Sequence, residues 1–529
     1  MNHRIIYYLP ILISGLVGAS LLLIMGHTPC DDAYITFRHA RNFSDHFIFS
    51  WNITGKYDFG STTPFFAFLL GIFGFIFSSQ NIPLISLYVN AFLILLNAFL
   101  FFYIVLEITE NYAISVAITF LLSVNSYSIR IYSQGFESCL FITFFFLGLL
   151  LLQREKYKSI MIITSLIPFV RPEGIILSII VLPYLLFRRK LNFKLILIYS
   201  AIPFLWILFS LFLYSSIVPQ SIVAKYYLQK YDPMYEIYGK NTNLIDNLKL
   251  TFDYIKEIWN IILKPVILYN AEPGVKFLYI INDRLGNFFL RSGNELLLTI
   301  IFMLFFVPIY LYRKRKFFST VYYTYVPFFI IFLGYSKALS PWYIPIWIIS
   351  CLLLLNTGFY LLATLLIKYI KKPGVYILSF TVILLFLGKN LYFYNDYKYE
   401  WQKGFGKFYA PAHWDKIEYN RFNAYKNAAI YLNKQSQGTV AMHEVGFFGF
   451  YYTNGNVIDL SGLCSSRVVK IYREKNKKDN LAVINELNPS YLIGFRKNDK
   501  ELESLNYEII YTDEKFKIFW NESIIYKKK

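Results

Sequence analysis

The feature that most restricts what this chain can fold into is a series of apolar runs, several of them near the roughly 20 residues that cross a bilayer as a helix. They fall at Ile5 to Met25, Pro64 to Ser78, Pro83 to Ile108, Tyr112 to Tyr127, Phe136 to Leu152, Ser159 to Val170, Gly174 to Phe187 and Leu195 to Tyr214. They resume at Leu296 to Tyr312, Val321 to Tyr335, Trp342 to Ile367 and Val375 to Tyr394. Of 529 residues, 56% are hydrophobic, and the excess over a soluble protein lies in these runs rather than in alternation. The expectation is an all-α polytopic membrane domain over residues 1–395. The first run has only His3 and Arg4 ahead of it and ends without a small-x-small cleavage site, so it reads as a retained helix.

A net charge of +19 could suggest a nucleic-acid partner, but the clustered Lys and Arg lie in short loops between apolar runs, where they set orientation. No nucleic acid is expected. Arg188-Arg189-Lys190, Arg313 to Lys316 and Lys368 with Lys371-Lys372 mark cytoplasmic loops. Alternation then puts loops 26–63 and 215–294 outside, together with residues 396–529. The apolar runs number twelve, whereas an inside start and an outside end require an odd count, so 11 or 13 spans are expected. Pro64 to Ser78 could dip in without crossing, and Ser159 to Val170 could merge with its neighbour.

From about Glu400 the composition becomes that of a soluble α/β domain. The pattern predicts helices over Arg421 to Leu432 and Asn480 to Glu486, and strands at Gly438 to His443, Val457 to Leu460, Tyr491 to Phe495, Tyr507 to Tyr511 and Phe516 to Trp520. In the 215–294 loop, Leu248, Phe252, Ile255, Trp259 and Ile262 trace an amphipathic helix that would pack on the outer domain or lie on the membrane. The chain's four Cys make no disulfide framework.

Polar groups gather where apolar runs meet the outside. Pro29-Cys30-Asp31-Asp32-Ala33-Tyr34-Ile35-Thr36-Phe37-Arg38 follows the first run, and adjacent acids there suit either a helix N-terminus or chemistry. Ser133-Gln134-Gly135-Phe136-Glu137, Arg171-Pro172-Glu173-Gly174, Pro219-Gln220 to Lys225 and Tyr335-Ser336-Lys337 recur at other run ends. Arg or Lys at the headgroup level can neutralise a lipid phosphate, or can merely snorkel. In the C-terminal region, His443-Glu444 lacks the second His of a metal motif.

In these patches the chain resembles the GT-C glycosyltransferases, in particular their arabinofuranosyltransferase and LphB-like branch, although Gln134 interrupts one motif and Gln220 replaces an Asn. The resemblance implies a GT-C type membrane domain with an extracytoplasmic α/β domain. It implies an inverting transfer of a sugar from a polyprenyl-phosphate donor to a hydroxyl of a glycan or glycolipid acceptor. It places the enzyme in a cell membrane among lipids, with its site outside. Asp31 would be the base, and Asp32 would share that work, fix Arg38 or help hold Mg²⁺ or Mn²⁺. Arg38, Arg171 and Lys225 would meet the donor phosphate, with Glu137 and Glu173 orienting them or the acceptor. A transporter or flippase for a lipid-linked sugar and a ligase moving a whole glycan from a diphosphate carrier stay open as alternatives.

Overall fold

The computed structural model describes residues 3–228, 412–494, 505–512 and 524–529. The apolar runs from Leu296 onward, the amphipathic stretch around Trp259, Lys337 and the strand expected at Phe516 to Trp520 lie outside the described residues. The helices of the N-terminal region are α1 (His3–Met25), α2 (Asp31–His46), α3 (Pro64–Phe77), α4 (Ile82–Thr109), α5 (Tyr112–Ser123), α6 (Ser126–Ser133), α7 (Ser138–Gln153), α8 (Tyr157–Val170), α9 (Ile175–Phe187), α10 (Phe193–Tyr214) and α11 (Gln220–Leu228).

The direction of each helix can be read from its contacts. Tyr103 Oη donates to Tyr8 Oη at 3.1 Å while Gly18 packs on Ile94, so α4 runs back along α1. Asn97 Nδ2 donates to the Cys139 carbonyl at 3.2 Å, and Phe101 stacks on Phe146 at 5.1 Å, so α7 follows the direction of α4. Ser178 Oγ reaches the Thr164 carbonyl at 3.3 Å across the Arg171 turn, making α8 and α9 a hairpin rather than one merged span. On α10, large apolar side chains such as Phe204, Leu205 and Phe212 are exposed, as lipid-facing residues of a membrane helix are.

α3 breaks the alternation. Ser61, just ahead of it, shares a 3.2 Å hydrogen bond with Thr36, while Gly74 near its end packs on Ser44 of α2. The two helices therefore run side by side in one direction. Beyond Ser78, which takes a positive φ of 84°, the chain turns directly into α4, and Ile82 packs back on Gly74. α3 thus ends on the side where it began, with Phe75, Ile76 and Phe77 exposed like the apolar face of an interfacial helix. Among the described residues, α1, α4 and α10 are long and apolar enough to cross a membrane, while α5, α7, α8 and α9 are shorter apolar helices.

The C-terminal region comprises α12 (Ala412–Leu432), β1 (Val440–Met442), α13 (Gly446–Tyr451), β2 (Val457–Asp459), α14 (Ser466–Lys475), α15 (Asn480–Leu487), β3 (Tyr491–Ile493), β4 (Tyr507–Thr512) and β5 (Ile524–Lys528). The strands form one sheet in the order β2-β1-β3-β5-β4, with β1 parallel to both neighbours and β5 antiparallel to β3 and β4. The parallel strands are buried along their length, which explains their unbroken apolar runs. The edge of β2 is covered from the membrane side. Trp51 Nε1 and Asn52 Nδ2 donate to the Val457 carbonyl at 2.9 and 3.1 Å, and Val457 N donates to Asn52 Oδ1 at 2.9 Å.

Candidate active site

α2 starts at Asp31, with Cys30 as its N-cap and Pro29 outside the helix. Its two acids point in different directions, as consecutive helical residues about 100° apart must. Asp31 is buried and turned into the C-terminal domain: Gly446 N donates to Oδ2 at 3.0 Å and Phe447 N to Oδ1 at 2.8 Å. Its carboxylate thereby satisfies the first amides of α13. Arg38 and Arg41, farther along α2, meet the other end of the same helix. Arg38 Nη1 donates to the Gly449 and Tyr452 carbonyls, its Nε to the Trp51 carbonyl at 2.7 Å, and its Nη2 to Asn52 Oδ1 at 3.2 Å. Arg41 Nη1 donates to the Phe450 carbonyl at 2.6 Å. An acid at the positive end of α13 and cations at the negative end complement its dipole.

Arg38 is therefore surrounded by carbonyls and lies against the Trp51 ring at 4.6 Å; neither Asp32 nor an open surface is among its partners. Burial lowers it to about 9. His39 is structural in the same way. Its Nε2 accepts from Gly60 N at 3.2 Å, so Nδ1 carries the proton donated to the Ile35 carbonyl at 2.8 Å, and burial brings the ring down to about 4. The two glycines of α13 allow the clasp, because a Cβ on Gly446 would overlap the Asp31 carbonyl and one on Gly449 would sit 2.6 Å from the Trp51 ring.

Asp32, by contrast, is exposed, yet charges from several elements surround it. Desolvation by the protein packed around it, then the Glu444 carboxylate, raise it to about 6, against the opposing pull of Lys225 and Arg421. It stands at the start of α2, near the turn that follows β1. Arg421 on α12 is paired with Glu418 at 2.7 Å and with Glu444 at 3.7 Å. Glu418 is raised to about 7, first by burial and then by Glu444 and Asp32, with Arg421 opposing. Lys225 on α11 is exposed and makes no ion pair among the described residues. Its element is fixed by Gln220, whose Nε2 donates to the Gly462 carbonyl at 3.0 Å and whose N donates to the Phe59 carbonyl at 2.9 Å.

Arg171, Glu137 and Glu173 come together as a buried triad. Arg171 Nη1 meets Glu137 Oε1 at 2.5 Å, and its Nε and Nη2 meet the two Glu173 oxygens at 3.2 and 3.3 Å. Asp31 and Asp32 do not converge on one ligand, and no group of three metal-binding side chains comes together among the described residues.

The arrangement sits in a chain that can be compared as a whole. It superposes on the crystal structure of ArnT from Cupriavidus metallidurans bound to undecaprenyl phosphate with a TM-score of 0.55, covering 99% of this chain and 97% of that one at 11% identity. The fold is ArnT-like. Residues 412–524 match the family model of a domain of unknown function, DUF8728, and no curated protein sequence matches the chain. With its long apolar helices, the ArnT-like fold makes this an integral, multi-pass membrane protein.

Sequence reasoning found the acidic loop but not its partners. Glu444 was visible inside its motif, though nothing local tied it to Asp32; Glu418 and Arg421 carried no signal beyond a helix.

Proposed function

We propose that the protein is an inverting membrane glycosyltransferase that moves a sugar from a polyprenyl-phosphate donor to a hydroxyl of an extracytoplasmic glycan or glycolipid. The observation that carries this reading is Asp32 standing exposed in the first turn of α2, raised to about 6, in a chain with the ArnT-like fold. The local motif likeness to the arabinofuranosyltransferase and LphB-like branch supports the same chemistry.

Asp32, rather than Asp31, is the base. As the acceptor oxygen attacks the anomeric carbon, its O–H bond breaks toward Asp32 and the bond from carbon to phosphate oxygen breaks with its electrons, releasing polyprenyl phosphate. A carboxylate raised to about 6 is mostly ionised at neutral pH and still basic enough to share the proton. Phosphate leaves as a stable anion and needs no acid. Lys225 is the cation that receives it, being exposed beside Asp32. Asp31, Arg38 and Arg41 hold the C-terminal domain, and the Arg171 triad ties α7 to the α8–α9 turn.

The test is to isolate the lipid-linked sugar that accumulates in cells lacking the protein and to incubate it with purified protein and the glycolipid fraction of those cells. Appearance of a new glycosidic bond with free polyprenyl phosphate supports the reading. Movement of the intact lipid-linked sugar across proteoliposomes without bond formation would make the protein a flippase.

A further inference from the structure

We propose that Glu444, contributed by the C-terminal domain, binds the acceptor: its carboxylate, on the turn that packs against the start of α2, accepts hydrogen bonds from acceptor hydroxyls and directs the attacking one toward Asp32. This rests on the glycosyltransferase reading and assigns a substrate to the region around Asp32.

Position comes first. Glu444 leaves the carboxyl end of β1 at the point where the chain passes to β2 on one side while β3 pairs on the other, and open α/β sheets bind ligands at such carboxyl-end crevices. Two residues later, Gly446 N is bonded to Asp31 at 3.0 Å, so the turn carrying Glu444 lies against the start of α2.

Conformation comes second. Glu444 takes a positive φ of 51° in the turn after β1. While Met442, Val445 and Gly446 around it are buried, its own side chain stays 50% exposed. Arg421 steadies it at 3.7 Å without enclosing it.

Charge decides which substrate it meets. Around Asp32 stand Glu444 from the β1–α13 turn, Glu418 and Arg421 from α12, Lys225 from α11, Cys30 and Asp31 at the start of α2, and Glu137 at the start of α7. A carboxylate repels the donor phosphate, which belongs beside Lys225, but it is a strong acceptor for neutral hydroxyls. The acceptor class is therefore polyhydroxylated and not anionic where it meets Glu444.

The experiment uses full-length protein, the lipid-linked sugar that accumulates in deletion cells as donor, and the glycolipid fraction of those cells as acceptor. Glu444→Ala should raise the half-saturating acceptor concentration about 10- to 100-fold, the effect of losing one charged hydrogen bond. Half-saturation by donor should stay within about twofold. Glu444→Gln, which keeps the shape and an accepting oxygen, should raise it less and shift the acid limb of the rate profile to lower pH. Carbodiimide labelling of Asp32, followed by mass spectrometry, reads that shift without any substrate. If the wild type makes no glycosidic bond, the enzyme reading fails and this proposal falls with it, whatever the labelling shows. If the wild type transfers sugar but Glu444→Ala leaves acceptor half-saturation unchanged or raises that of donor instead, only the present proposal is overturned. An Asp32 labelling midpoint that does not move in Glu444→Gln also counts against it.

Discussion

At the scale of single residues, adjacent acids have separated roles because one backbone step on a helix turns a side chain toward a different neighbour. Asp31→Asn would place an amide NH₂ against one of the two N–H donors of Gly446 and Phe447. It should cost about 1–3 kcal/mol of docking stability, seen as faster hydrogen exchange of those amides. Asp32→Asn should leave exchange there unchanged. The charged triad makes a separate prediction. Arg171→Ala strands Glu137 and Glu173 in a buried site and should destabilise the protein by about 3–5 kcal/mol, whereas combining it with Glu137→Gln and Glu173→Gln should recover most of that loss. Thermal unfolding measures both; a combined variant no more stable than Arg171→Ala would show that the triad is not what burial of charge makes it. Arg171 caps the end of α8 and Arg38 sits midway along α2, and the partners of neither could be read from the sequence. Arg38 meets Gly449 and Tyr452, more than 400 residues away, and no local spacing encodes that contact.

At the scale of elements, α2 and α13 form one clasp, which accounts for two motifs at opposite ends of the chain that otherwise look like separate sites. The glycines of α13 are required by close approach, so Gly449→Ala should push Trp51 away and release the C-terminal domain. Limited proteolysis should then cut between the two regions sooner than in wild type, and unchanged protection would refute the clasp. The short strands and helices of this region were legible from period and turn residues: β1, β2, β3, β4 and α15 fall where the pattern places them. α14 and β5 were not, although α14 buries Val468, Val469, Ile471 and Tyr472 on one face and β5 buries Ile524, Ile525 and Tyr526. α3 was ambiguous for a physical reason. Its composition is that of a spanning helix, and only its alignment with α2 shows that it returns to the same side.

At the scale of the whole molecule, the orientation expected from the positive loops, with α3 outside the spanning set, can be tested directly. A cysteine introduced at Gln80, just after α3, should react with an impermeant thiol reagent in intact cells, as should one at Lys475 on α14, while one at Lys190 after α9 should be protected. Protection at Gln80 with labelling at Lys475 would restore α3 as a crossing helix. The two regions meet where α2 packs on α13 and α11 on α14, with Gln220 Nε2 donating to the Gly462 carbonyl.

The most direct measurement of the central claim is the pH dependence of sugar transfer by wild type, Asp32→Asn and Asp31→Asn, with donor binding measured in parallel. The account predicts a wild-type rate that falls as pH drops through about 6, where Asp32 takes up its proton. It predicts an Asp32→Asn rate lower by about 10²- to 10⁴-fold with donor still bound. Asp31→Asn should keep the acid limb of wild type and lose activity only as far as docking is weakened. Near-normal turnover by Asp32→Asn, with the acid limb abolished in Asp31→Asn instead, would contradict it.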